Sequence, residues 1–262
     1  MNTSKNHSDA ALSSIVLPKK TPLHLRKLSV IMEMKFRALL SKNLIIGPVF
    51  AVGFSFLMDR IYNIITDGAV DMSGMALAMG VLMNICMTGV YAAAACLAEE
   101  KEKYTLRTLM TSSVNGLEFC LGSLIPVILM QALVNVLCVF AAGFSMKPGQ
   151  WAAYLAVGTA CALIGSMIGM IFGIFAKNQM SAGTITTPAL LILLMIPMFS
   201  SMIESMEKIS SFLFTGVAYD AILKISMGKA PVDAKGIVIL LAEILISIAL
   251  FLVLYRKNGL ER

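Results

Sequence analysis

Charged residues are scarce in this 262-residue chain, since Asp, Glu, Lys and Arg together make up only 14 % of it. Soluble globular proteins carry about 25 % charged residues, and about 45–50 % of their residues are apolar. Here the apolar share is 58 % and the mean hydropathy is +0.84. The shortage of charge excludes an ordinary soluble domain and predicts a membrane protein.

The usual catalytic and nucleotide-binding motifs are also missing. The sequence has no G-x-x-x-x-G-K-[ST] phosphate loop, no H-E-x-x-H zinc motif and no G-x-S-x-G nucleophile motif. Its two histidines, His7 and His24, lie in the N-terminal segment, so no Ser/His/Asp set is expected. We predict that the chain is not an enzyme by itself and holds no cofactor or metal.

Cysteine gives no sign of disulfides or metal ligands, because no C-x-x-C occurs and all five cysteines lie in or beside apolar runs. We interpret them as small buried apolar residues.

The net charge of +6 would suggest a nucleic-acid partner in a soluble protein. In a membrane protein it indicates orientation instead, and no nucleic-acid partner is predicted.

Long apolar runs fill most of the chain. An α-helix needs about 20 apolar residues to cross the hydrocarbon core of a bilayer. We therefore predict an all-α, polytopic membrane protein whose six spans occupy about residues 43–58, 74–98, 119–143, 151–176, 184–203 and 237–255.

Two segments precede the first span. Residues 1–22 are polar and are predicted to form a disordered tail. Residues 23–42 repeat apolar side chains at helical spacing, as in Leu28, Met32 and Phe36, and carry basic flanks. This pattern predicts an amphipathic helix in the membrane interface. The alternative is a cytosolic helix packed on a partner.

Lysine and arginine indicate the orientation, because cytoplasmic segments hold more of them. Eight lie in residues 1–42, three in residues 99–118 and three in residues 256–262. We predict that both termini and residues 99–118 are cytoplasmic. Residues 204–236 then form an outer loop. Within it, residues 211–223 are apolar but too short to cross the bilayer, and they predict a re-entrant or interfacial hairpin.

Small and polar residues mark particular faces of the spans. Gly165, Gly169 and Gly173 share one helical face, which predicts close helix packing. Four polar residues lie deep in apolar sequence and are candidates for a substrate pathway: Asn84, Gln131, Asn135 and Glu243. For Glu243 the alternative is a structural hydrogen bond to another helix.

The densest charge lies in "LAEEKEKYTLRTLMTSSVNGLEFCLG", residues 97–122. Glu99 and Lys103 are placed for an i, i+4 pair, which favours a helix continuing out of the second span. Asn115 is a candidate cap for the next helix, with Glu118 three residues later. The segment is thus predicted to form helix, turn and helix, and to serve as either a solvated loop or a docking surface.

This segment resembles the signature of the type 2 permeases of ATP-binding-cassette (ABC) transporters, "E-x-E-x-G-T-L…L…P-V…E…L-G-K". The chain departs from that signature at Tyr104, Ser113 and Ser123. The resemblance extends to the interfacial helix, the six spans and the long outer loop. It implies that eight residues couple the chain to an ATPase: Glu99, Glu100, Glu102, Thr105, Leu106, Leu109, Val114 and Glu118.

The resemblance further implies the permease subunit of an exporter in the bacterial plasma membrane. ATP and Mg would be bound by a separate nucleotide-binding subunit present in two copies. A second permease chain, identical or different, would complete a dimer in the lipid bilayer.

Apolar spans with a few amides favour a small hydrophobic or amphipathic cargo, such as a drug, an antimicrobial peptide or a lipid-like molecule. The alternatives are a cation exporter of the same family, an ATP-independent secondary transporter or channel, and a membrane anchor or sensor. A secondary transporter would be expected to show inverted repeats and several intramembrane charges.

Overall fold

The computed structural model of the chain describes residues 25–103 and 116–257, and these form helices joined by short connections. The predicted tail 1–22 and residues 258–262 lie outside this part of the chain. Four predicted coupling residues also lie outside it: Thr105, Leu106, Leu109 and Val114.

No strand occurs in the described residues. In chain order the helices are α1 (Leu25–Leu39), α2 (Ile46–Ile65), α3 (Ser73–Asn84), a π-helix (Ile85–Tyr91), α4 (Ala92–Glu102), α5 (Gly116–Ala141), α6 (Pro148–Phe175), α7 (Gln179–Phe199), α8 (Glu204–Ser210), α9 (Phe214–Ser226) and α10 (Ala234–Lys257).

Six segments of the described chain are long and apolar enough to cross a membrane: α2, the continuous run α3–π-helix–α4, α5, α6, α7 and α10. This confirms the all-α prediction with six spans. The second span is the most enclosed, with 89 % of its apolar window buried, against 17 % for α10. The other spans therefore pack around the second span.

The spans extend beyond the predicted apolar runs, α2 and α7 the furthest. Helix α2 continues past Asp59 to Ile65, and the Asp59 side chain is buried and accepts a hydrogen bond from Asn63 at 3.2 Å. Helix α7 begins at Gln179 because the Asn178 side chain accepts a hydrogen bond from the backbone N–H of Ser181. In both places a local hydrogen bond allows polar sequence to join the helix.

The predicted outer loop, residues 204–236, contains α8 and α9, which are bent by 104° at their junction. Helix α9 covers most of residues 211–223, which were predicted to form the hairpin. Both ends of α9 are held by other helices. Glu243 of α10 accepts a hydrogen bond from the backbone N–H of Phe214 at 3.0 Å, and Gln150 of α6 donates to the carbonyl of Ile225 at 2.9 Å. Helix α9 is thus fixed among the spans.

The bundle has two distinct ends. Helix α7 begins beside Glu102 and ends at Phe199, and its 21 residues rise by about 30 Å. We call residues 99–103 the charged end. Residues 200–236, at the opposite end of α7, are called the hairpin end.

Candidate functional site: a charged cluster and a buried amide cluster

The last turn of α4 carries four consecutive charged residues, from Glu99 to Glu102. Successive residues of an α-helix point about 100° apart, so four in a row face in four directions. Each of these side chains contacts a different partner. Glu100, Lys101, Glu102 and Lys35 of α1 together form what we call the charged cluster.

Glu100 joins α4 to α1. Its carboxylate lies 2.8 Å from the Lys35 ammonium, and the Lys35 side chain is only 3 % exposed. The same ammonium lies 5.1 Å from the centre of the Phe119 ring of α5, a cation–π contact. A buried ion pair contributes little when intact but is costly to break, because one charge is then left without its partner.

Lys101 joins α4 to the end of α6. Its ammonium donates to the carbonyls of Ile174 and Ala176, both at 2.6 Å, and to that of Gly173 at 3.3 Å. The last carbonyls of a helix have no partner within the helix and carry its negative dipole end. Lys101 therefore satisfies three acceptors at once and fixes α6 against α4.

Glu102 joins α4 to the start of α7, because its carboxylate accepts a hydrogen bond from the backbone N–H of Gln179 at 3.2 Å. The Glu99 carboxylate pairs with the Lys103 ammonium one turn later. This hydrogen bond raises the pKa of the Lys103 ammonium. Of the predicted coupling acids, Glu100 and Glu118 are buried, whereas Glu102 is exposed. Part of the predicted docking segment is therefore buried in the structure and is not exposed to a partner.

The structure brings three of the four predicted pathway residues together in the interior. The Asn84 amide nitrogen donates to the side-chain oxygen of Asn135 at 2.8 Å and to the backbone carbonyl of Gln131 at 2.9 Å. All three side chains are at most 1 % exposed. This amide cluster joins α3 to α5, and in this conformation it does not line an open passage.

The amide cluster extends to α6. Gln131 donates to the hydroxyl of Ser166 at 3.2 Å, and the hydroxyl of Tyr154 donates to the carbonyl of Asn135 at 2.9 Å. The Tyr154 ring meets the edge of Trp151 at 6.3 Å between ring centres. The cluster therefore connects three spans, namely the second span, α5 and α6.

The π-helix begins directly after Asn84. Its Gly89 lies under Gln131, and a Cβ placed there would be 2.8 Å from the Gln131 side-chain oxygen. Among the described residues, the side-chain oxygens of Asn84, Thr88 and Gln131 have no hydrogen-bond partner. Buried polar atoms normally have partners, so this incompletely bonded region next to a π-helix is a candidate functional region.

Glu243 forms no hydrogen bond to the amide cluster. Its carboxylate accepts from the N-terminal N–H of α9, which is the structural bond between helices that the sequence offered as an alternative. A charged group at a helix N-terminus is stabilised by the positive end of the helix dipole. A pathway role for Glu243 stays a prediction.

The three glycines of α6 face the second span. A Cβ at Gly169 would lie 2.3 Å from the carbonyl oxygen of Val90, and one at Gly173 would lie 2.9 Å from the Cβ of Leu97. At Gly165 a Cβ would make ordinary contact with Ile85. These glycines let α6 approach the π-helix and α4 closely.

Sequence reasoning missed Lys35 and Lys101. For Lys35 a signal existed, because it lies four residues from both Ile31 and Leu39, so the three share one face, and the structure buries all three. For Lys101 no local signal exists, since its acceptors lie more than 70 residues later in the chain. Tyr154 and Ser166 were missed because a hydroxyl in an apolar span is common.

Comparison with known families agrees with this architecture. No curated protein matches this chain. The model of the family described as "ABC-2 family transporter protein" matches residues 44–254, which span all six membrane helices. The match therefore covers most of the chain and includes the amide cluster and the second span with its charged end. The chain belongs to the ABC-2 transporter family and is a type 2 ABC transporter permease.

Proposed function

We propose that this permease is the membrane subunit of an ATP-driven exporter in the bacterial plasma membrane. Two copies of a separate nucleotide-binding subunit hydrolyse ATP with Mg, and a second permease chain completes the pathway. The charged end and both termini lie on the cytoplasmic side, as the distribution of lysine and arginine favours.

The charged cluster is the observation that carries this proposal. Through Lys35, Lys101 and Glu102 it links α4 to the ends of α1, α6 and α7. A partner that displaces the end of α4 would therefore displace the ends of four helices together. Such a joint suits a subunit that receives motion from another chain.

The π-helix supports the same mechanism. It separates the outer half of the second span, α3, from the inner half, α4, which carries the charged cluster. A π-helix is wider than an α-helix and less regularly bonded, so the two halves can turn relative to each other there. The unpaired oxygens of Asn84, Thr88 and Gln131 favour a second arrangement in which they find partners.

We further propose a small hydrophobic or amphipathic cargo, either a drug, an antimicrobial peptide or a lipid-like molecule. The large exposed side chains on the spans are apolar, and the amide cluster adds a few polar groups in the interior. In the structure the amide cluster is closed, so cargo passage requires its rearrangement.

The test is reconstitution of the permease with its nucleotide-binding subunit in vesicles, followed by a cargo flux assay. Flux is expected only with ATP and a hydrolysis-competent partner. Flux by the permease alone would identify an ATP-independent transporter or channel and overturn the proposal.

Docking is tested by co-purification of the two subunits. Because Glu100 and Glu102 hold the charged end together, the variant should spare them and combine Glu99→Lys with Leu106→Ala and Leu109→Ala. Loss of the partner from an otherwise folded permease is expected. Retention of the partner would show that this segment is not the docking surface.

A further inference from the structure

A cavity of about 340 Å³ opens at the hairpin end, far from the charged cluster. It is lined by the two residues that follow α7, by α8 and α9, and by the start of α10 with the residues just before it. Small-molecule sites range from about 300 to 1,000 Å³. The cavity is therefore large enough for a small ligand or a headgroup.

The charges lining the cavity are of both signs. Lys224 is neutralised from two sides, because its ammonium lies 2.8 Å from Asp220 and 2.6 Å from Asp233. Glu207 and Lys235 also line the cavity, and neither has an ionic partner among the described residues. One cation and one anion are thus left to interact with a ligand.

Two hydroxyl groups accompany Lys235. Its ammonium lies 3.2 Å from the oxygen of Ser211. Ser210, also in the cavity wall, is only 5 % exposed, and its hydroxyl has no hydrogen-bond partner among the residues described. This hydroxyl is therefore available to donate a hydrogen bond to a polar ligand atom in the cavity.

Exposed apolar residues stand next in the chain to residues of the cavity wall, and we call them the rim. Met202 is 77 % exposed and Phe212 63 % exposed, and each is next in the chain to a serine of the cavity wall. The Lys235 ammonium lies 4.7 Å from the centre of the Phe212 ring. Ile209 and Ile237 continue the exposed apolar surface beside Ser210 and Gly236. A polar cavity with an apolar rim fits a molecule that has a polar head and apolar tails.

We propose that this cavity binds the zwitterionic headgroup of a membrane phospholipid of the phosphatidylethanolamine type. The phosphate contacts the Lys235 ammonium and the Ser210 hydroxyl, the amine faces Glu207, and the acyl chains lie on the rim. A purely anionic headgroup fits less well, because the carboxylates lining the cavity outnumber its ammonium groups by one, three against two.

The experiment is native mass spectrometry of the purified full-length chain with phosphatidylethanolamine and phosphatidylglycerol of identical acyl chains. We expect the ethanolamine lipid to be retained preferentially. Lys235→Gln should lower its retention about tenfold, as for the loss of one charge-assisted hydrogen bond. Glu207→Gln should remove the preference for the ethanolamine headgroup over glycerol.

The matched controls lie on α8, the helix that carries Glu207 and Ser210, but outside the cavity wall. Lys208 and Glu204 pair with each other at 2.8 Å, so Lys208→Gln and Glu204→Gln should leave lipid retention unchanged. Thermal unfolding checks that each variant is folded. If Lys235→Gln does not fold, Ser210→Ala and Lys235→Arg decide instead: the first should weaken retention and the second should preserve it.

Equal retention of the two lipids, or equal losses in the control variants, would overturn the proposal. Soluble phosphoethanolamine distinguishes a membrane lipid from a free ligand of the same chemistry. We expect it to compete weakly, because it lacks the chains that contact the rim. Competition as strong as that of the whole lipid would also overturn the lipid assignment.

Discussion

The two ends of the bundle use charge in opposite ways. At the charged end, Lys35, Lys101 and Glu102 bind groups on other helices that are far away in the chain. At the hairpin end, Lys208 pairs with Glu204 in its own helix, and Lys224 pairs with Asp220 and Asp233 nearby in the chain.

This difference has a mechanical meaning. Bonds between distant helices transmit displacement from one helix to the next, whereas pairs within a few residues stiffen only their own segment. The charged end is therefore built as a joint, whereas the ion pairs of the hairpin end join residues close in the chain beside a cavity. Substitutions at the two ends should accordingly differ in the size and the kind of their effects.

The largest effect is expected for Glu100→Gln, which leaves the buried Lys35 ammonium without its counter-charge. Breaking one partner of a buried ion pair costs about 3–5 kcal/mol. The measurement is thermal unfolding followed with a thiol-reactive dye, since Cys86, Cys138 and Cys161 are buried and free in the folded chain. Adding Lys35→Met to Glu100→Gln should recover part of the loss, and an additive double variant would contradict the ion-pair account.

Lys101→Met is expected to cause the second-largest loss of stability and the largest loss of ATP-driven flux. It leaves the carbonyls of Ile174 and Ala176 without their donor, and a hydrogen bond to a charged group contributes about 1.5–3 kcal/mol. ATP-driven flux should fall more than stability alone explains, because α6 no longer follows α4. The matched control is Lys103→Met, whose ammonium bonds Glu99, four residues earlier. Equal loss of flux in both variants would contradict the joint.

Glu243 of α10 holds the start of α9 at the hairpin end, and Glu243→Leu should have a smaller effect, of about 1 kcal/mol, which is typical for the loss of a helix N-terminal cap. Glu243→Gln should be milder, because its amide oxygen still accepts from the N–H of Phe214. Unfolding midpoints test stability and the flux assay tests function. Loss of flux in Glu243→Gln at unchanged stability would instead support a pathway role for the carboxylate.

The smallest effect is expected for Lys224→Gln, whose two ionic partners are largely exposed to solvent. Exposed ion pairs typically contribute about 0–1 kcal/mol and weaken with added salt. The unfolding midpoint of the natural chain minus that of the variant should shrink between low and high salt. A difference as large as that of Glu100→Gln would remove the distinction between the two ends.

Much of the fold was readable from hydrophobicity alone. Six apolar runs predicted six spans, and the structure has six candidate spans in the same order. The helix boundaries were harder to predict where polar residues join a helix through a local hydrogen bond, as Asp59 does through Asn63. Hydropathy reports the apolar length of a segment, whereas helix ends depend on individual hydrogen bonds.

The amide cluster and the charged cluster could be predicted from the sequence only in part. Gln131 and Asn135 lie four residues apart, which places them on one helical face, but their meeting with Asn84 depends on how α3 and α5 pack. The π-helix was not predictable, because the sequence from Ile85 to Tyr91 contains no proline and its geometry depends on neighbouring spans. Glu100 was expected at the surface, since a sequence does not show that Lys35 would be buried opposite it.

The contact between Trp151 and Tyr154 has an optical consequence. Trp151 is the only tryptophan of the chain, and its neighbour Tyr154 is bonded to Asn135 of the amide cluster. Indole emission responds to the distance and hydration of adjacent groups. The protein therefore carries its own fluorescent reporter, and a change in emission on addition of ATP and the partner subunit would time the opening of α5 from α6 without an attached label.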